Sequence, residues 1–372
     1  MAETKKLDFI DSLRGFAALY VLVYHFSLIT DPKAVAPEWL APFTGYGGSG
    51  VTLFFVVSAF TLSLSADARR GKDANPLTDY FLRRFFRIAP LFYVWIVAYC
   101  VRDKLLFNAV HSLRDIARSA LFLINLSPGH ETGFVWASWT LGVEMLFYLM
   151  FPAIFRWADS IGKAGAFFLL ALLLRPLWHE AVMRLVADPM VAQNYYAFSL
   201  FRHLPTFLFG IVVYRAYRLL NLDSARRLGL GYVLVGATLA AIAALAYGVM
   251  TLPSLDGLTG QAVIYGLLLL GLAVNAPAIL VNRFTCFYGR ISYSVYLSHA
   301  TTLYLMSRIF AFVYRNSPQV TVAYAVSLCL GLAVITAISV LTYRYIETPG
   351  NSIARRIIRS RQAALACAAP PP

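Results

Sequence analysis

The stretch Leu7–Phe26, LDFIDSLRGFAALYVLVYHF, decides the fold, because it is long and apolar enough to cross a membrane and yet contains Asp11, Arg14 and His25. An Arg or Asp at the middle of a bilayer costs roughly 2.5 to 3.5 kcal/mol, so such groups are usually paired, turned away from lipid and functional. On a helix at about 100° per residue, Arg14 and His25 return to nearly the same face, and Asp11 lies within about 60° of it. The stretch therefore predicts a polar stripe along a membrane helix.

The whole chain has the composition of a membrane protein with several spans. It is 372 residues long, 59% hydrophobic and only 13% charged, with a mean hydropathy of +0.66. No span of about 100 residues lacks a long apolar run, which excludes a separate soluble domain. The net charge of +14 is interpreted through topology, since basic residues gather in cytoplasmic loops, and nucleic acid is excluded as a partner. The four cysteines form no CxxC pair, so neither a disulfide framework nor a metal site is predicted.

An all-α fold is predicted, with about ten transmembrane helices. They are placed near 11–30, 49–66, 86–107, 138–158, 164–180, 199–217, 228–249, 259–276, 291–313 and 319–344. The charged stretch 113–126 is too short to cross and is predicted as an interfacial or re-entrant helix.

The distribution of basic residues predicts the orientation of the helices. Most of the 32 Lys and Arg residues fall in loops that share one side with the N-terminus, so both termini are expected in the cytoplasm. Residues 1–349 are predicted to form a single membrane domain. The basic tail 350–372 is expected to lie on the anionic inner leaflet as an amphipathic helix.

Counting residues along the predicted helices brings His25 and Glu144 to a similar depth in the outer half of the membrane. A carboxylate that accepts a proton from one imidazole nitrogen raises the basicity of the other, as a general base requires. Glu144 and Asp11 are the two candidates for orienting His25. The alternatives are a structural hydrogen bond for His25 and a buried ion pair for Glu144.

Four further side chains are predicted near the same cavity. Ser58 and His299 reach the midplane from opposite sides, and Tyr293 and Tyr296 share the helix of His299. A packing role is favoured for His299, and still more for Ser58, because serine is common in contacts between membrane helices.

The predicted cytoplasmic side carries the densest charge, in the run DYFLRRFFRIAPLFYVW. Arg83, Arg84 and Arg87 precede Pro90 there, and Arg84 and Arg87 share a helix face. Guanidinium groups interleaved with Phe side chains suit a phosphorylated, aromatic ligand such as a nucleotide or coenzyme A. The alternative is that these arginines serve topology and bind anionic lipid.

Six runs, in order and spacing, resemble the acyltransferase-3 family of integral membrane acyltransferases, which includes O-antigen, exopolysaccharide and Nod-factor O-acetyltransferases. The runs are SLRGFAALYVLVYH, GVTLFFVVSAFTLS, RRFFRIAPLFYV, SWTLGVEMLFYLMFP, ISYSVYLSH and YIETP. Where many members have Ser-Gly-Phe, this chain has Ser58, Ala59 and Phe60. The resemblance ends near residue 349, so a single-domain form without a C-terminal hydrolase-like domain is expected.

The resemblance implies a multi-pass protein of the bacterial inner membrane. It implies acetyl-CoA as a cytoplasmic co-substrate, no tightly bound cofactor, and transfer of acetyl to a hydroxyl of a surface carbohydrate such as lipopolysaccharide O-antigen. The family's functional residues fall on Arg14, His25, the cluster of Arg83, Arg84 and Arg87, and Glu144.

The resulting hypothesis has coenzyme A bound by its phosphates to Arg83, Arg84, Arg87 and Arg290, with the pantetheine passing Arg14. His25 then removes the proton of a sugar hydroxyl. An acyl-enzyme on His25 or Ser58 remains an alternative. A transporter or flippase for a glycan or lipid-linked sugar also needs polar groups near the midplane, and a non-catalytic partner of a glycan assembly complex is the third interpretation.

Overall fold

The computed structural model describes residues 8–220, 224–251 and 257–368, and these ranges contain helices and connecting loops but no strand. In chain order the α-helices are α1 (Asp8–Ile29), α2 (Ala41–Gly45), α3 (Gly50–Arg69), α4 (Pro76–Phe107), α5 (Leu113–Ala120), α6 (Trp139–Trp157), α7 (Ile161–Leu185), α8 (Pro189–Ala197), α9 (Leu200–Leu219), α10 (Ser224–Ala246), α11 (Gly257–Val274), α12 (Arg283–Arg290), α13 (Ser292–Leu305), α14 (Ser307–Asn316), α15 (Val320–Thr342) and α16 (Thr348–Ala368). Two 3₁₀ turns, Tyr46–Ser49 and Ile124–Leu126, and a π turn, Tyr343–Glu347, complete the regular structure.

Eight helical segments of the described ranges are long and apolar enough to cross a membrane. Two of the ten predicted spans are not among them. Helix α6, which carries Glu144 and Arg156, is a single helix of 19 residues and is not among the eight. The predicted span 291–313 is divided at Met306 into α13 and α14. The all-helical membrane fold is confirmed, whereas the count of ten and the cytoplasmic termini stay predictions.

The segment predicted as interfacial or re-entrant forms α5, which has 8 residues, followed by the 3₁₀ turn Ile124–Leu126. At about 1.5 Å per residue, α5 is far too short to cross a bilayer. The Ser112 side chain accepts a hydrogen bond from the backbone N–H of Asp115 at 3.1 Å and caps the helix.

Helix α1 packs against α3, α12 and α13. Its apolar face is fully buried, with Leu13, Ala17 and Val21 at 0% exposure. Glycines permit the close approach of α12, because a β-carbon at Gly289 would overlap the backbone of Asp11, and one at Gly15 would overlap the carbonyl of Thr285. The first helix is therefore held on several sides, and its polar residues have fixed neighbours.

The last helix of the described residues is α16, which packs against α4. Gly350 lies so close to Pro90 that a β-carbon there would meet the proline ring at 2.9 Å. Ala354 and Ile358 are buried, while the four arginines of this segment are exposed. Those arginines are Arg355, Arg356, Arg359 and Arg361. The segment is thus an amphipathic helix, and a domain boundary at residue 349 remains a prediction.

Candidate active site

A polar cavity lies between α1, α3, α4, α6 and α13. Most of the side chains predicted for the site line it, namely Arg14, Ser58, Arg84, Arg87, Glu144, Tyr293 and Tyr296. Thr140, Tyr148 and Ser292 add hydroxyl groups to the same wall. The fold therefore brings residues from five helices around one polar space.

Glu144 is the hydrogen-bond acceptor of this cavity. The Ser58 hydroxyl donates to Glu144 Oε1 at 2.6 Å, and the Tyr148 hydroxyl donates to the same oxygen. Arg84 lies over the ring of Tyr148, 5.9 Å from its centroid. Hydroxyl donors thus hold the carboxylate of Glu144 on the wall, next to the cationic end of the cavity.

The arginines divide into two groups. Arg14, Arg84 and Arg87 line the cavity, and Arg84 Nε is buried without a partner among the described residues. Arg83 does not line it, because consecutive helical residues point about 100° apart and Arg83 turns to Asp73, with which it forms an ion pair of 2.5 Å. Two of the three clustered arginines are therefore free to bind a ligand in the cavity.

Asp11 and Arg290 lie near the arginine end of the cavity without lining it. Arg290, the last residue of α12, is exposed. The positive charges that act on Asp11 come from Arg14, Arg290 and Arg87, and Asp8 adds a negative one. The carboxylate of Asp11 thus belongs to the cationic cluster.

His25 has a partner that the sequence did not indicate. Its Nδ1 lies 2.9 Å from the carbonyl oxygen of Val21 and 3.3 Å from His299 Nε2. The hydrogen bonds of Glu144 go to Ser58 and Tyr148 instead. Asp11 is fourteen residues away on the same helix, about 21 Å along its axis. The predicted orientation of His25 by Glu144 or Asp11 is therefore wrong in this geometry, because α13 packs on α1 and places His299 beside it.

The hydrogen bonds of the two histidines determine their tautomers. His299 Nδ1 lies 2.6 Å from the carbonyl oxygen of Tyr296, and a carbonyl only accepts, so Nδ1 carries the proton and Nε2 of the neutral ring is an acceptor. His25 Nδ1–H then points to Val21 and to His299 Nε2. Nε2 of His25 is left with its lone pair, which is the form that a general base needs.

Tyr296 connects the cavity to the histidine pair. Its side chain lines the cavity, and its ring centroid lies 5.6 Å from that of His299. The Tyr296 hydroxyl is held by Thr140 at 2.8 Å. His25 and His299 do not themselves line the cavity, and Tyr296 is a cavity residue that contacts the pair through His299.

Sequence reasoning missed two buried polar residues of this region. Glu347, in the π turn, is 5% exposed, accepts a hydrogen bond from Ser294 at 3.2 Å and lies among the charges that act on Arg14. The hydroxyl of Ser292 lines the cavity and has no partner among the described residues. Both residues lie in the runs YIETP and ISYSVYLSH, so a search of those runs for buried polar groups would have found them.

Membrane helices around a cavity of arginines, a carboxylate and hydroxyls define an integral membrane protein with a buried polar site. The sequence profile of the acyltransferase-3 family, described as an acyltransferase domain, matches residues 7–344. The chain therefore belongs to this family of membrane acyltransferases. No solved structure matches the chain.

Three relatives show how the similarity is distributed. The exopolysaccharide production protein ExoZ of Rhizobium meliloti is 24% identical, over 82% of this chain and 89% of its own length. The acyltransferase MdmB of Streptomyces mycarofaciens is 30% identical over 42% of this chain and 41% of its own. The peptidoglycan O-acetyltransferase OatA of Listeria monocytogenes is 26% identical over 40% of this chain and 24% of its own. The chain thus spans less than half the length of the last two relatives.

Proposed function

We propose that this chain transfers an acetyl group from cytoplasmic acetyl-CoA to a hydroxyl of a surface carbohydrate, with His25 as the general base. The observation that carries the proposal is the hydrogen bonding of His25, which leaves Nε2 unprotonated. The same helix places Arg14 in the cavity with Arg84 and Arg87.

The arginine end of the cavity is suited to the donor. Guanidinium groups bind phosphate through charge-assisted hydrogen bonds, and coenzyme A carries several phosphate oxygens and an adenine. In the proposed complex, Arg84 and Arg87 bind the phosphates and Arg14 lies beside the pantetheine. The buried Arg84 Nε has no partner within the described protein, which supports a ligand at this position. The thioester then reaches toward Tyr296 and the histidine pair.

The chemical step follows from the groups around His25. His25 Nε2 takes the hydroxyl proton as the sugar oxygen forms a bond to the thioester carbonyl carbon. The carbon–sulfur bond breaks, and coenzyme A leaves with the proton that His25 returns to sulfur. While His25 is positively charged, the lone pair of His299 Nε2 stabilises it through the 3.3 Å contact to Nδ1. The products are an O-acetylated sugar and free coenzyme A.

The proposed carbohydrate acceptor is based on the relatives of this chain. ExoZ is an exopolysaccharide production protein and OatA a peptidoglycan O-acetyltransferase. By analogy, a surface polysaccharide such as lipopolysaccharide O-antigen, or its lipid-linked precursor, is the proposed acceptor. The proposal places the chain in the bacterial inner membrane, with ten spans and both termini in the cytoplasm. With this orientation, the Arg84 end of the cavity faces the cytoplasmic donor, and His25 lies nearer the acceptor.

Membranes that contain the chain, labelled acetyl-CoA and host glycan test the proposal. We expect labelled acetyl groups in the glycan that base treatment releases. In a second experiment, mass spectrometry of the glycan from cells without the gene should show loss of acetyl groups only. Loss of the whole polymer from the cell surface would contradict the transferase and favour a flippase. Cells with Ser327→Ala, a buried serine of α15 away from the cavity, should keep the acetylated glycan.

A further inference from the structure

A second pocket lies outside the arginine cavity, in the segment that joins α4 to α6. It has a volume of about 210 Å³ and is lined mostly by polar side chains. The lining includes His111, Asp115, Arg118, Ser119, His130 and Phe134. Pockets for drug-sized ligands usually measure about 300 to 1,000 Å³, so this one suits a ligand the size of a single ring.

Ser119 offers this pocket a buried hydroxyl group without a partner in the described protein. The side chain is 1% exposed, lines the pocket and has no hydrogen-bond partner among the described residues. A buried hydroxyl without a partner costs free energy that a bound ligand restores. The hydroxyl of Ser119 is therefore available to a molecule in the pocket.

The charged groups of the pocket are already neutralised by one another. Arg118 pairs with Asp115 at 3.0 Å, and His130 lies 3.3 Å from the same carboxylate. The hydrogen bond from Ser112, supported by His130 and Arg118, holds the pKa of Asp115 below its usual value. Neither an anion nor a cation would meet an unbalanced charge here, and the pocket favours a neutral ligand that both donates and accepts hydrogen bonds.

A flat apolar surface accompanies these polar groups. The rings of His111 and Phe134 are stacked, with centroids 4.1 Å apart and an angle of 21° between their planes. Sugar rings have hydroxyl groups at the edge and C–H groups on the face, which matches a pocket with fixed polar side chains beside aromatic rings.

A chain of hydrogen bonds ties this pocket to the helix of His299. His111 Nε2 lies 2.8 Å from Asp103, and Asp103 pairs with Arg102 at 2.6 Å. Arg102 donates to the hydroxyl of Thr301 at 2.8 Å, two residues beyond His299 on α13. The pocket follows the C-terminal end of α4, whereas Arg84 and Arg87 lie in its N-terminal half. The pocket and the histidine pair are thus displaced toward the same end of the helices.

We infer that this pocket binds one neutral pyranose ring of the carbohydrate acceptor, with Ser119 as a hydrogen-bond donor and Phe134 as a stacking surface. The inference rests on the proposed function, because it assigns a position to the acceptor of that reaction.

Saturation-transfer NMR tests the site without the donor. The full chain in nanodiscs is titrated with methyl glycosides of glucose, galactose, mannose, rhamnose and N-acetylglucosamine. We expect at least one glycoside to bind, and Ser119→Ala to raise its Kd on the order of five-fold, as loss of one hydrogen bond predicts. Phe134→Leu, which keeps an apolar side chain, should weaken binding as well. Ser327→Ala is the matched control, because Ser327 is a buried serine without a partner in the described structure and does not line this pocket.

The thermal midpoint separates binding from folding. The Ser119 hydroxyl has no protein partner to lose, so Ser119→Ala should unfold at the wild-type temperature while binding sugar more weakly. An unchanged Kd in both pocket variants, or no binding of any of the five glycosides, overturns the inference. Acetyl-CoA binding is measured on the same samples. If acetyl-CoA does not bind while the pocket variants still lose the glycoside, the proposed function fails and the sugar site stands.

Discussion

His299 Nε2 lies 3.3 Å from His25 Nδ1, and the two rings are 4.9 Å apart between centroids. A histidine of α13 thus faces the predicted base of α1, where the sequence led us to expect a carboxylate. A neutral imidazole acceptor stabilises a charged His25 less than a carboxylate does, but it adds no negative charge to an apolar environment.

His299→Phe should slow acetyl transfer roughly 10- to 100-fold, the range seen when the partner that orients a metal-bound histidine is removed. The ring keeps the packing of α13 on α1 but cannot accept from His25 Nδ1. Steady-state kinetics should show a lower kcat with an unchanged KM for acetyl-CoA. His299→Gln, which retains an acceptor oxygen, should recover part of the rate. Wild-type kcat in His299→Phe would remove His299 from the mechanism.

Arg84→Ala and Arg87→Ala should each raise the Kd for acetyl-CoA about ten-fold or more, because a charge-assisted hydrogen bond contributes roughly 1.5 to 3 kcal/mol. Arg83→Ala is the matched control, since Arg83 pairs with Asp73 and does not line the cavity. Isothermal titration with the protein in detergent measures all three. Equal weakening by all three variants would favour a general effect of positive charge over a defined site.

Glu347→Gln should lower the stability of the protein by about 1 to 3 kcal/mol, because it weakens the buried hydrogen bond from Ser294 and removes a negative charge that acts on Arg14 and Arg87. The amide has the same shape, so packing is retained. Thermal unfolding in detergent measures the loss. Glu180→Gln is the control, since Glu180 forms an exposed pair with Arg184, and exposed pairs contribute little. If Glu347→Gln and Glu180→Gln have the same thermal midpoint, the negative charge of Glu347 does not stabilise the fold.

Gly289→Ala should destabilise the contact between α1 and α12 by about 1 to 3 kcal/mol, the usual cost of overpacking. A β-carbon there overlaps the backbone of Asp11, so α1 must shift together with Arg14. Gly236→Ala in α10 is the control, because nothing lies within 4 Å of its β-carbon. The thermal midpoint and the rate of acetyl transfer should both decrease in Gly289→Ala and keep their wild-type values in Gly236→Ala. If both variants behave like wild type, α1 and α12 are not packed through Gly289.

The sequence was sufficient for features that depend on one helix at a time. Apolar length predicted the membrane helices, and helical periodicity placed Arg84 and Arg87 on one face, which the cavity confirms. The division at Met306 was not visible, because the apolar pattern continues from α13 into α14 while the backbone turns between them.

Contacts between helices were harder to predict. Counting residues along the predicted helices placed Glu144 and His25 at a similar depth in the membrane. Such a count contains no information on which helices are neighbours. Close packing through Gly15 and Gly289 and the contact of α13 with α1 decide that His299 reaches His25. The Arg83–Asp73 ion pair likewise depends on the loop before α4, which periodicity does not describe.

Acetyl transfer by His25→Ala tests the central claim most directly. Membranes with matched amounts of wild-type and variant protein receive labelled acetyl-CoA and host glycan, and label in the glycan is counted after binding of acetyl-CoA has been verified. We predict that His25→Ala binds the donor with the wild-type Kd and transfers acetyl at least about 100-fold more slowly, the usual contribution of a general base. Transfer at the wild-type rate by a variant without this imidazole would contradict the account.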